Sequence, residues 1–173
     1  STRRRAPRAD ELKAIKDHLN AGKPLVAIRT ACHAFDTRGN VPEGHAEWGD
    51  FDQAVLGAQY TGHYGSEAFE VVVAEGMEDH PLLEGVKLKS SSKLYKIKTI
   101  APTAQLLLSG RRENGELEAV AWTNRYGKNE ASVFFTSLGL ESDFQTRDFR
   151  QLMLNAIHAS LDRPITVEAA TIP

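Results

Sequence analysis

Leu12, Ile15 and Leu19 are spaced along a stretch that is otherwise mostly polar and charged. This i, i+3, i+7 spacing predicts an amphipathic helix over residues 7–21, with Pro7 suited to the first turn and Gly22 to the C-terminal cap. A short turn leads into the apolar run Leu25-Val26-Ala27-Ile28, which reads as a strand buried on both faces of a parallel sheet. Helix, turn and buried strand make half of a βαβ crossover. Between residues 36 and 65 the periodicity fades and Gly, His and aromatic residues accumulate, with only 51–56 suggesting a short helix. A loop of this length in a compact domain is usually functional. Strand-like runs return at 69–74, 93–98, 104–109, 119–123 and 132–137, and Glu113-Asn114-Gly115 supplies a turn between the third and fourth. The last amphipathic stretch, 144–161, predicts a long helix capped by Ser142 or Asp143, with Phe149, Leu152, Ala156, Ile157 and Leu161 turned inward. The pattern is α/β, without internal repeats.

Composition narrows the function. A chain of 173 residues is read as a single domain over 1–163 with a C-terminal tail over 164–173. A formal net charge of -2 gives no reason to expect nucleic acid or an acidic membrane surface as a partner. No apolar run reaches the ~18 residues of a membrane span. One cysteine excludes an internal disulfide and leaves the redox compartment open. The N-terminal STRRRAPRADEL carries no signal-peptide apolar segment. The expectation is a soluble bacterial-type protein, cytoplasmic in the first instance, or periplasmic or secreted if a leader has been removed. Arg3, Arg4 and Arg5 read as a solvated arm.

In open α/β sheets the chemistry gathers just beyond the carboxyl ends of strands. Cys32 and His33 follow the first strand at once and are placed to act as nucleophile, base or ligand. A lone cysteine is more often a small buried hydrophobe. Arg29, at the end of a buried strand, needs a protein carboxylate or an anionic ligand group as partner. His33, Asp36, His45, Glu47 and His63 could converge as metal ligands or acid/base groups; a hydrogen-bonded polar pocket fits them best, with a divalent metal site or plain structural histidines as the alternatives. No pair of them has a recognised ligand spacing. Trp48, Tyr60, Tyr64, Tyr95 and Trp122 suit a sugar or a flat ligand, although Trp122 in mid-strand reads better as core.

Six blocks carry a family resemblance: KPLVAIRTACHAF (23–35), FDQAVLGAQYTGHY (51–64), HPLLEGV (80–86), LYKIK (94–98), AVAWTNRYGKNEASVFFTSLG (119–139) and FRQLMLNAI (149–157). In order and spacing the chain resembles the ThuA-like (trehalose utilisation) domain. The resemblance implies a flavodoxin-like, class I glutamine amidotransferase-like fold: a mostly parallel sheet flanked by helices, with an added antiparallel strand region. It also implies N-terminal truncation, since such domains begin with about two further βα units. The sheet edge left open would then be covered by a second copy of the chain, or the later strands would rearrange. The resemblance places Ala31-Cys32-His33 at the amidotransferase nucleophile elbow. The histidine that commonly follows the late strand as Leu-Gly-His is absent here, because the chain reads Leu138-Gly139-Leu140. A glutaminase triad is therefore not expected.

The expected protein acts on a disaccharide or oxidised sugar. His33, His63 and Cys32 are its candidate catalytic residues, and Arg29, Asp36, His45, Trp48, Tyr64, Thr136 and Ser137 its candidate substrate contacts. The rival readings are a metal-dependent hydrolase of small esters or lactones using His33, Asp36, His45 and His63, and a non-catalytic sugar-binding module. The partners implied are a small sugar-like molecule and a second copy of the chain.

Overall fold

The computed structural model describes residues 2–167. It builds three layers around a six-stranded sheet in the order β1-β8-β7-β6-β3-β4. The strands are β1 (Leu25–Ile28), β3 (Ala68–Val73), β4 (Ser90–Ser92), β6 (Gln105–Arg111), β7 (Leu117–Tyr126) and β8 (Ala131–Thr136). A separate antiparallel pair joins β2 (Ala58–His63) to β5 (Tyr95–Ile100).

The sheet is mixed, which corrects the expectation of a mostly parallel one. Only β1 and β8 run parallel; every other neighbour is antiparallel. The reason lies in the connections. The links from β6 to β7 and from β7 to β8 are only a few residues long, and such short turns permit antiparallel pairing alone. A parallel pair needs a long crossover, and β1 and β8 are far apart in the chain. β1 also stands at the end of the sheet, where Ala27 is buried but Leu25, Val26 and Ile28 are only partly covered. It is an edge strand that still packs on both faces, Leu25 and Ala27 against one cluster and Val26 against the other.

Helix α1 (Ala9–Asn20) buries Leu12 and Leu19, while the Glu11 carboxylate accepts from the Arg8 N–H at its start. Gly22, in the left-handed region at φ 78°, donates its N–H to Leu19 O and ends the helix. This helix covers one face of the sheet, together with Trp48, Phe51, Val55 and Leu56 and the β2–β5 pair. The other face is covered by Leu82 and Leu83 and by α3 (Arg147–Ser160) through Phe149, Leu152 and Ala156. β8 serves both layers by alternation: Val133 and Phe135 enter the first cluster and Phe134 the second. Its continuous apolar run follows from that double burial.

The predicted 144–161 helix is α3 (Arg147–Ser160), starting three residues later than expected. The short α2 (Glu141–Phe144) precedes α3, whose own cap is Thr146, with its hydroxyl accepting from Phe149 N–H. Asp143, buried, accepts from Gly139 N–H, Leu140 N–H and the Ser91 hydroxyl, so it caps the shorter segment and ties β4 to it. Ile157 and Leu161, expected inward, are exposed because α3 turns only its Phe149, Leu152 and Ala156 stripe to the sheet. Trp122 is core, donating Nε1–H to Leu56 O at 2.6 Å. No helix among the described residues is long and apolar enough to cross a membrane.

Candidate functional site

β1 runs out at Ile28, and Arg29 adopts φ 49°, an uncommon conformation for a residue with a Cβ. The abrupt turn leads into one 3₁₀ segment, Arg29–His33, which buries Ala31, Cys32 and His33. Facing it is a wide π-type turn, Asp52–Leu56, closed by Gly57 at φ 76°. Glycine is required there, since a Cβ would lie 2.6 Å from the Asn124 side chain. β2 leaves that turn, with two register shifts against β5, and carries Tyr60, Thr61, Gly62 and His63 along the rim.

Between these pieces lies a cavity of about 320 Å³ whose lining includes Cys32, His33, Asp36, Asp52, Tyr60 and His63. Cys32 Sγ stands 3.2 Å from His33 Nδ1. The Tyr60 ring packs on the His33 imidazole with centroids 4.7 Å apart, and its hydroxyl reaches His63 Nδ1 at 3.4 Å. Tyr60 thus connects the buried histidine to the exposed one.

Electrostatics keep this floor uncharged. Burial, with the Arg4 and Arg3 guanidiniums adding to it, lowers the His33 pKa to about 4, so the ring is neutral at neutral pH. Burial, and then the Asp52 carboxylate, push the Cys32 thiol far above the ordinary cysteine range. A neutral thiol beside a neutral imidazole is not an activated nucleophile. Burial raises the Asp52 carboxyl against the backbone N–H groups of Tyr60 and Gln53 that stabilise its anion. Burial also pulls Asp36 upward, but the Arg38 backbone N–H and the Arg4 side chain outweigh it and hold Asp36 below its usual value.

The N-terminal arm is part of this site, which corrects its reading as a solvated segment. Arg4 N–H donates to His33 O, Arg5 N–H to Ala34 O, and the Arg4 guanidinium meets Asp36 Oδ2 at 2.6 Å. Arg3, Arg4 and Arg38 all line the cavity. A basic triplet carries no apolar periodicity, so no pattern rule marks it as structured. Tyr60 was a candidate only as an aromatic face, and Asp52 was not singled out, since it stands in a stretch that reads as a short helix.

The structure gathers Cys32, His33, Asp36 and His63 and disperses the remaining candidates. His45 is exposed, with its ring at 3.0 Å from Glu43 O. Trp48 is buried against Phe51 and Tyr126. Tyr64 lines a separate groove, its hydroxyl donating to Glu118 and its ring flanked by Lys96 and Arg112. The Thr136 hydroxyl donates to Val120 O inside the core, and Ser137, also buried, offers its carbonyl to Arg29 Nη1 at 2.7 Å. Arg29 also reaches Lys93 O at 3.5 Å and lies over the Tyr95 ring, so its partners are two carbonyls and an aromatic face. Among the described residues, no three His, Cys, Asp or Glu side chains are grouped to hold a metal ion. The cavity can therefore bind polar groups, and it presents His33, Tyr60 and His63 to whatever it binds.

A family model described as "ThuA: Trehalose utilisation" matches residues 2–158. The chain belongs to the ThuA family. No curated protein matches it. Among solved structures, the chain is similar to a β-galactosidase from Rahnella sp. R3, with 18% identity and a TM-score of 0.55. The likeness covers 88% of this chain and 21% of that one, so the ThuA chain spans about a fifth of the β-galactosidase. At this identity the likeness speaks for the fold alone. The family points to a role in carbohydrate utilisation.

Proposed function

We propose that this ThuA-family chain acts on a sugar or an oxidised sugar bound in the cavity beyond β1, with His33 and His63 handling the proton. The observation that carries this reading is that buried His33, Tyr60 packed on its ring, and exposed His63 all line one cavity. An oxidised sugar carries a carbonyl, and the hydrogen on the adjoining carbon is the one a side-chain base can remove. A neutral His33 is free to accept that proton. Tyr60 or His63 can protonate the carbonyl oxygen as charge develops there. Glutaminase chemistry fits poorly: the Cys32 thiol is held protonated, and Leu140 stands where the family's late histidine would be.

The test is incubation in deuterated water with neutral sugars and their keto and acid derivatives, followed by NMR. The wild-type chain should incorporate deuterium next to the carbonyl of at least one oxidised sugar, and His33→Ala should lose at least ~100-fold in rate. If His33→Ala and His63→Ala both leave turnover unchanged, the site lies elsewhere.

A further inference from the structure

We infer that the natural ligand of this cavity is a sugar bearing a carboxylate, held by Arg3 and Arg38 at the rim. This rests on the reading of the cavity as a sugar site and narrows it to a substrate class.

Three guanidiniums, Arg3, Arg4 and Arg38, line a space that also holds two carboxylates, Asp36 and Asp52. The carboxylates are occupied. Asp36 takes the Arg4 guanidinium on one oxygen and the Arg38 backbone N–H on the other, so it organises both arginines. Asp52 accepts from the backbone N–H groups of Tyr60 and Gln53. The guanidinium of Arg4 is satisfied by Asp36. Those of Arg3 and Arg38 are exposed and have no hydrogen-bond or ion-pair partner among the described residues. Two unpaired forks at the mouth of a polar cavity are suited to a planar carboxylate, which accepts guanidinium bonds bidentately. The other titratable groups facing the space, His33, Cys32, Tyr60 and His63, add no acidic partner that would compete for them at neutral pH.

Size selects the rest of the ligand. At about 320 Å³ the cavity lies at the small end of the roughly 300–1,000 Å³ found for ligand sites. That volume takes a sugar ring with its acid group and leaves space beside it. Binding has a consequence for the floor of the site. An anion at the rim offsets the guanidinium field on His33, so its pKa should rise from about 4 toward the ordinary imidazole value and make it a stronger base.

The experiment titrates the full chain with D-glucuronate, D-galacturonate, D-gluconate, D-glucose, glucose 6-phosphate and inorganic phosphate, using calorimetry and NMR of the His33 imidazole. The expected result is binding of at least one sugar acid, at least about tenfold tighter than glucose, with an upward movement of the His33 pKa. The affinity should fall with salt, and by about tenfold or more in Arg3→Gln/Arg38→Gln. Both side chains are exposed and unpaired, so the double variant should fold. Should its melting point nevertheless drop, Arg38→Gln alone must give a partial loss. If the double variant binds the acid as the wild type does, or glucose binds equally well, the arginine assignment is overturned while the sugar site stands. If glucose 6-phosphate or free phosphate binds more tightly than every sugar acid, the carboxylate assignment is overturned. If no sugar of any charge moves the His33 signals, the sugar site itself falls, and this inference with it.

Discussion

Replacing His33 by glutamine should remove a measurable part of the acid sensitivity of folding. In the folded chain the His33 pKa lies at about 4 against 6.5 for a free imidazole. Between those values the unfolded chain takes up a proton that the folded chain refuses. Stability carried by this group is therefore fully present above about pH 6.5 and is lost as the pH falls toward about 4. At 1.36 kcal/mol per pH unit the gap corresponds to at most ~3 kcal/mol, and water in the open cavity screens this to ~1–2 kcal/mol. Asp36, with its lowered pKa, loses stability in the same direction only below its ordinary 3.8. Asp52, with its raised pKa, gains stability on acidification near and above 3.8 and pulls the opposite way. The informative quantity is thus the difference between wild type and His33→Gln, not either slope alone. Glutamine can still pair with the Cys32 thiol, so the substitution mainly removes the proton site. Urea unfolding at pH 7 and pH 5 measures it. The gap in unfolding free energy between the proteins should shift by ~0.5–1 kcal/mol in favour of the variant at pH 5, which crosses only part of the window between 6.5 and about 4. A gap unchanged between the two pH values refutes the account of His33 as a buried neutral base.

Asp143→Ala should cost ~2–4 kcal/mol in urea unfolding, because it strands the Gly139 and Leu140 N–H groups and the Ser91 hydroxyl in a buried corner; a loss below ~0.5 kcal/mol would mean water replaces the carboxylate there. Native Cys32 should label with iodoacetamide at neutral pH at least ~100-fold more slowly than the urea-unfolded chain, since burial and Asp52 hold it protonated; comparable rates would show that the cavity floor opens.

The sequence carries the two helices and the apolar strands clearly because each has one face against the sheet and its periodicity records that face. Leu12 and Leu19 on α1, and Phe149, Leu152 and Ala156 on α3, are legible for this reason. Two strands were not. β4 is Ser90-Ser91-Ser92, with no apolar residue to reveal its place beside β3. β2 runs through Gly62 at φ 151° and slips register twice against β5, which breaks its alternation. Strand direction was also hidden, because apolar content records burial and says nothing of polarity. At the site, Cys32, His33 and His63 were legible from their place after β1 and in the GHY segment. Thr136 and Ser137 were not separable from core, since a buried hydroxyl paired with a strand carbonyl looks in sequence like one facing a ligand.

The hydrogen bonds from Arg4 and Arg5 to His33 O and Ala34 O have a practical outcome. Each of Arg3, Arg4 and Arg5 is followed by a bond that trypsin-like proteases can cut. Clipping within this triplet would leave most of the core untouched. Yet it would remove part of the cavity wall, along with a backbone strap over the 3₁₀ segment. Preparations should therefore be checked by intact mass before a lack of ligand binding is attributed to the protein itself.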